Sequence, residues 1–128
     1  MHIPKDDIPV RVQAPGATAR QQTGFGDAKA YGTIGGEYFS MAAGTDIAPL
    51  LEGLDGDLCH CPHWGYMIGG EVTVTYRDGS TEEVKTGDMF YWPEGHTVRV
   101  TKDADFVMFS PQHEHTVVMD HINGKLGA

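Results

Sequence analysis

Residues 59–65 read CHCPHWG. This stretch holds both cysteines of a 128-residue chain, together with two of its seven histidines and one of its two tryptophans. Thiolate and imidazole are ligands of borderline and soft metal ions. Cys59 and Cys61 stand two residues apart, a spacing at which a disulfide is strained. An extended chain turns both thiols and His63 to one face and sends His60 to the other. Pro62 carries no N–H, so the segment must lie at an edge or at a break in strand pairing, where the sulfurs are free to turn toward a cavity. The residues alone leave two readings open: metal ligation, or two small buried thiols. Cys-x-Cys is a weaker metal signal than Cys-x-x-Cys, because it forms no knuckle turn.

Composition narrows the partners. Nine basic residues face eighteen acidic ones, a formal net charge of −9 with no basic run. That argues against a nucleic-acid backbone or an anionic membrane surface. No apolar stretch approaches the roughly 18 residues of a membrane span, and MHIPKDDIPV lacks the apolar core of a secretion signal. The expectation is a cytoplasmic protein whose ligand is a small molecule. No serine-nucleophile context, phosphate-cradling glycine loop or dinucleotide fingerprint is present.

The elements that must position CHCPHWG are short strands. EVTVTYR (71–77) alternates Val72, Val74 and Tyr76 against Thr73, Thr75 and Arg77, the period of a half-buried strand. Asp78-Gly79 reads as a two-residue hairpin turn with positive φ at both positions, and STEEV (80–84) as the return strand. MFYWP (89–93), TVRVT (97–101) and DFVMFS (105–110) follow, separated by turns at TGD (86–88), PEG (93–95) and KDAD (102–105). Short strands between glycine-rich turns predict an antiparallel sandwich or barrel. Residues 1–30 are polar, with only IPVRV (8–12) strand-like, and read as an N-terminal arm or edge strand. Residues 31–111 form the barrel, with a bend at Gly35-Gly36 and a helical turn in PLLEGL (49–54). Residues 112–128 form a C-terminal helix and tail, with Val118 and Ile122 four apart. His113, His115 and His121, on or near that helix, read as surface residues.

Two stretches resemble the motifs of the small single-domain cupins. GDMFYWPEGHTV (87–98) is similar to the second cupin motif, G-x5-P-x-G, through Gly87, Pro93 and Gly95. HWGYMIGGEV (63–72) is similar to the end of the first motif. Counting back from Gly70, the family's glutamate ligand falls on His63, and its histidine pair falls roughly on Asp57 and Cys59. Val98 occupies the last ligand position. His96, two residues earlier and on the same strand face, is placed to supply the missing imidazole. A bacterial subgroup of small cupins with a C-x-C-P-H-W-G segment and a PxGH turn resembles the chain best. The resemblance covers roughly residues 40–110. It implies an all-β fold, a cupin-type double-stranded β-helix (jelly roll) with an N-terminal arm and a short C-terminal helix, assembled as a homodimer.

Joined to the ligand types, the resemblance implies Zn²⁺ bound by Cys59, Cys61, His63 and His96. Soft thiolates favour zinc over Fe²⁺ or another divalent ion. An alternative set keeps one thiol beside His60, His63 and His96, and a further alternative is an empty barrel. Trp64, Tyr66, Phe90 and Trp92 are expected around a pocket, although a one-residue slip inverts which strand face points inward. Glu94, beside His96, is the candidate general base. Fewer than four protein ligands would leave a position for water or substrate and favour a lyase, isomerase or hydrolase acting on a small polar metabolite. Four would close the site, and the barrel would then be a ligand-binding or accessory module.

Overall fold

In the computed structural model, which describes residues 1, 3–26 and 32–127, alternating apolar and polar residues form an antiparallel array of strands. These are β1 (Val10–Ala14), β2 (Ala17–Gln22), β3 (Ile34–Met41), β4 (His63–Tyr76), β5 (Thr81–Lys85), β6 (Met89–Trp92) and β7 (His96–Pro111). Among the described residues there are also two α-helices, α1 (Ala48–Leu51) and α2 (Gln112–Lys125), and short 3-10 turns at Lys5–Asp7 and Asp55–Asp57. Strand order is β1-β2-β3-β7-β4-β5, with β6 paired to β4. The result is the all-β jelly roll with a short C-terminal helix. The N-terminal segment supplies its edge: β1 and β2 form a hairpin that adds to β3 of the same chain, from Ala17↔Met41 to Gln22↔Gly36. The expected division between arm and barrel at residue 30 lies outside the described residues.

The turn expected at KDAD (102–105) is absent. The chain stays extended for the 16 residues of β7 and bends there instead of reversing. The bend is answered on β4, whose register against β7 shifts at Met67, Gly69 and Glu71, as bulges do at a barrel corner. Gly70 sits at that corner with φ +86°, and a Cβ there would lie 2.0 Å from the carbonyl oxygen of Asp103. Only glycine lets the two backbones pass this closely. The β4–β5 hairpin also differs from expectation. Gly79 takes positive φ while Asp78 does not. Tyr76 O accepts from Gly79 N, and Tyr76 N donates to Ser80 O, both at 2.9 Å. One more residue is spent than in a two-residue turn, giving a β-turn followed by a glycine bulge.

Inward-facing side chains such as Val72, Val74, Val100 and Phe106 are buried in one core cluster. Helix α2 closes one end of it. Its stripe at positions 115, 118, 119 and 122 follows the i, i+3, i+4, i+7 spacing of a helix face, with His115, Val118 and Met119 buried. The helix is tied to the first strand by an Arg11–Asp120 ion pair and by Asn123 Nδ2 donating to Arg11 O at 3.1 Å. His121 Nε2 donates to Glu52 O at 2.8 Å, just beyond α1.

Gly70→Ala adds a Cβ at positive φ against fixed backbone. The expected loss is about 3 kcal/mol of unfolding free energy, read from the urea midpoint. A loss under about 0.5 kcal/mol, within the range of ordinary surface substitutions, would contradict the corner geometry.

Candidate metal centre

Cys59 and His96 face each other because their backbones are paired. Cys59 N donates to His96 O at 2.9 Å, and Gly95 N to Cys59 O at 2.8 Å, an isolated antiparallel bridge at the start of β7. Three residues on, the chain has left that partner. His63 opens β4 opposite Trp92, the last residue of β6. Pro62 stands where the pairing changes hands, which is where a residue without an N–H costs nothing. The second motif delivers its imidazole through the PEGH turn, in which Gly95 takes φ +84°.

These elements bring Cys59, His63 and His96 together. All three are buried, and each offers a ligand atom within 4.8 Å of the other two. Cys59 Sγ lies 3.6 Å from His63 Nε2. His63 and His96 stack edge to face with ring centroids 5.1 Å apart. Cys61 does not join them. It shares an apolar cluster with Leu51, Val118 and Cys59 itself, but its sulfur turns to backbone oxygens, 3.4 Å from Pro62 O and 3.8 Å from Pro111 O. His60 is half-buried and stands outside the cluster.

A second cluster shares His63. Glu37 from β3, His63 and His115 from α2 also place ligand atoms within 4.8 Å of one another. Ser110 Oγ donates to Glu37 Oε1 at 2.5 Å, because a carboxylate accepts and does not donate. Ser110 then has no proton left for His63, so His63 Nδ1 donates to Ser110 Oγ at 2.6 Å. His96 Nδ1 donates to the carbonyl of Pro93 at 2.7 Å. Both imidazoles therefore hold their proton on Nδ1 and leave an Nε2 lone pair free. His115 Nδ1 lies 3.0 Å from Glu37 Oε1 without hydrogen-bond alignment. Gly35 makes room for the carboxylate, since a Cβ there would meet Glu37 Oε2 at 2.8 Å.

Burial dominates the electrostatics. It pushes the Cys59 thiol up to about 11 and the Cys61 thiol higher still. It pushes His63 well below the usual imidazole value and His96 down to about 4, the Pro93 hydrogen bond opposing in part. At neutral pH the cluster is a neutral thiol beside two neutral imidazoles. A divalent cation reverses this logic for the sulfur, which it deprotonates on binding. One sulfur and two preset nitrogens fit such an ion.

Around the cluster lies a cavity of about 40 Å³, walled by Trp92, Phe106, Met108 and Leu51 and capped by His115 and Val118 of α2. The strand alternation sorts the expected pocket aromatics. Phe90 and Trp92 are buried at 8% and 1% exposure, and Trp92 is on the cavity wall. Trp64 and Tyr66 share the opposite parity on β4 and stand about half exposed. Glu94 is exposed in its turn, beside Arg77 and Tyr91 and away from the cavity. His115, expected at the surface, is buried at 3%, because its position continues the apolar stripe of α2 back by one turn.

Glu37, Ser110 and His115 are the site residues that sequence reasoning missed. A signal existed for two of them. His115 precedes Val118, Met119 and Ile122 at helical spacing, and Glu37 shares strand parity with Phe39. Nothing local marks Ser110.

An antiparallel jelly roll whose two glycine-rich motifs carry buried ligand-type side chains into one cavity is the architecture of a cupin. Residues 56–115 match the EutQ-like cupin domain family, and the chain is a small cupin-domain protein. Solved structures agree on the fold. A protein described as ethanolamine utilization protein Q from Salmonella typhimurium LT2 superposes with a TM-score of 0.58 at 12% identity, over 86% of this chain and 85% of the other. A deletion mutant of oxalate decarboxylase from Bacillus subtilis gives 0.57 at 22% identity, over 83% of this chain and 28% of the other. A mutant salicylate 1,2-dioxygenase from Pseudoaminobacter salicylatoxidans gives 0.56 at 21% identity, over 89% and 30%. The chain thus spans less than a third of the two enzymes it matches. No curated protein sequence matches it. Among the described residues, no helix is long and apolar enough to cross a membrane.

For protein stripped of metal, the depressed histidines set an acid limb of stability. The unfolded chain takes up protons near the ordinary value of 6.5, while folded His96 resists until about 4. Stability is therefore present above pH 6.5 and falls as the pH drops from 6.5 toward about 4. Cys59 acts on the other side: its unfolded thiol ionises near 9.0 and the folded one near 11, so stability falls again across that window. Denaturation midpoints of chelator-treated protein should be highest near pH 7.5 and lower at pH 5 and pH 10. Equal midpoints at pH 5 and 7.5 would contradict the burial of the two imidazoles.

Proposed function

We propose that this cupin binds a zinc ion through Cys59, His63 and His96 and uses it on a small molecule. The observation that carries the reading is the pair of preset imidazoles. Both Nδ1 atoms donate away from the cluster, so both Nε2 lone pairs are left for a cation beside the Cys59 sulfur. One thiolate and two nitrogens suit zinc over Fe²⁺. Three protein ligands leave a fourth position, at which bound zinc supplies Lewis acidity or an acidified water.

The chain's own residues do the rest. Glu37, acting through Ser110, keeps the proton of His63 on Nδ1, and the Pro93 carbonyl does the same for His96. Trp92, Phe106 and Val118 exclude bulk water. Trp92 Nε1 is buried without a partner among the described residues, a donor left for an oxygen atom held in the cavity. Glu37 replaces Glu94 as the carboxylate closest to the chemistry. Zinc has no redox chemistry, so the reaction classes favoured are lyase, isomerase and hydrolase. Two fold neighbours are named for acting on oxalate and on salicylate, which supports a small-molecule ligand without naming one. The free thiols of Cys59 and Cys61 suit a reducing cytoplasm. A second reading, a structural ion without chemistry, is favoured by the cavity itself, whose volume of about 40 Å³ holds one or two waters.

Elemental analysis of chelator-free protein tests the centre. About one zinc per chain is expected. Cys59→Ala and His96→Ala should lose it and Cys61→Ala should keep it. Ser110→Ala should keep the stoichiometry with affinity lowered roughly 10- to 100-fold. Metal-free protein of normal stability would sink the proposal. Loss of metal in a folded Cys61→Ala variant would return that thiol to the ligand set and close the site.

The outward strand faces support a homodimer. Trp64 stacks on Tyr91 with centroids 5.1 Å apart, and Tyr66, Met89 and Phe109 extend an exposed apolar patch across β6, β4 and β7. The patch carries no charge on a chain of net charge −9, so two copies meet there without the repulsion their other faces impose. Light scattering should give a dimer for the native chain and a monomer for Trp64→Glu. A native monomer at about 100 μM would remove the proposal.

A further inference from the structure

The cavity at Cys59, His63 and His96 is small, and it has a much larger neighbour. A groove of about 690 Å³ runs between the β1–β2 hairpin, the segment 42–50 and α2. The two volumes share five lining residues: Phe39, Met41, Ile47, Met119 and Ile122. These five residues wall both volumes. Two of the five are methionines, whose unbranched side chains change rotamer at little cost. Rotation of these two side chains is a route by which the two volumes could join.

The groove's chemistry selects its ligand. Its walls are mostly alanine, valine, proline, glycine, methionine, leucine, isoleucine and phenylalanine, with Thr45 and Asp46 as the polar side chains among the described lining residues. Asp46 is the only charged side chain among the lining residues, and its Oδ1 accepts from Ala48 N at 3.0 Å. The backbone is also largely spent. Gly16 O accepts from Ala42 N at 2.7 Å, and Thr45 both donates to Ala42 O and accepts from Val100 N. A sugar, a phosphate or a polycarboxylate would give up hydration there for few partners. The volume lies in the range of small-molecule sites. A protein segment filling the groove could not reach the donors behind the methionine wall.

We infer that this groove is the substrate subsite of the metal centre, and that the substrate has an uncharged apolar body with a single polar, metal-seeking end that passes Met41 and Met119 to reach Cys59, His63 and His96. The inference rests on the zinc reading above. It gives the substrate class that reading lacks: an apolar compound with one polar terminus rather than a small polar metabolite.

Straight-chain hydroxamates separate the two claims, since the hydroxamate grips zinc and the chain probes the groove. Calorimetric titration of zinc-loaded protein with the two-, four-, six- and eight-carbon members should show dissociation constants tightening roughly threefold per added methylene. Ala17 and Ala14 face the groove from β2 and β1. Ala17→Trp and Ala14→Trp should flatten that gradient and leave acetohydroxamate binding within twofold of the native value. Acetohydroxamate bound with no chain-length gradient overturns the groove and leaves the zinc centre standing. A gradient that survives in either folded tryptophan variant overturns the groove as its location. Failure of every hydroxamate to bind zinc-loaded protein removes the open metal position and the subsite together.

Discussion

A hydroxyl has one proton to give. Ser110, buried on β7, donates its hydroxyl hydrogen to the Glu37 carboxylate, and the tautomer of His63 follows from that commitment. His63 must then donate from Nδ1, and its Nε2 lone pair must face Cys59. Changing the acceptor would move the proton. An amide at position 37 could donate to Ser110, and Ser110 could in turn donate to His63, leaving the wrong nitrogen protonated toward the sulfur. The fold invests in keeping Glu37 in place. Gly35 is bare to admit the carboxylate, β3 is clamped between β2 and β7, and the carboxylate is desolvated completely. A buried carboxylate is costly unless hydrogen bonds compensate it, and here the bond that Oε1 accepts from Ser110 also sets the tautomer of His63.

The motif framework of the fold was legible because it depends on local backbone chemistry. Gly87, Pro93 and Gly95 mark a turn, Val72 and Val74 mark a strand face, and the resemblance they carry led to the jelly roll. The misreadings concern what happens where two strands meet. KDAD looks like a turn because its residues favour turns. It stays extended because Gly70, more than thirty residues earlier, yields space to its carbonyl. The Asp78-Gly79 turn adds a residue because its register answers to pairing between β4 and β5 rather than to the dipeptide.

The site divides the same way. His63 and His96 were legible from their places in the two motifs, and Cys59 from its spacing. Cys61 shares that spacing, but strand alternation holds only while a strand lasts. The bend at Pro62 ends it, and the second sulfur turns to the backbone oxygens of Pro62 and Pro111. The partnership of Ser110 with Glu37 was illegible for a different reason. They come from strands that neighbour each other in space and lie 73 positions apart in the chain, so no local pattern pairs them. His115 was legible in principle. Its stripe is apolar at three positions and ionisable at the fourth, and an ionisable residue on an otherwise buried helix face is a sign of an interior partner.

Burial and access pull against each other at this centre. The desolvation that keeps both imidazoles neutral requires α2 to sit tightly over the barrel, with Val118 and Met119 almost fully enclosed. A helix that lifted off would flood the cavity and restore ordinary imidazole and thiol behaviour. The tethers from α2 to Arg11 and Glu52 hold it down at both its strand and its loop side. Opening by helix displacement would break these and expose the whole stripe, whereas rotation of Met41 and Met119 breaks no hydrogen bond. Side-chain gating therefore costs far less than lid opening, and it admits an apolar chain while still excluding bulk water. A cavity built this way favours ligands that bring their own apolar surface to replace the wall they displace.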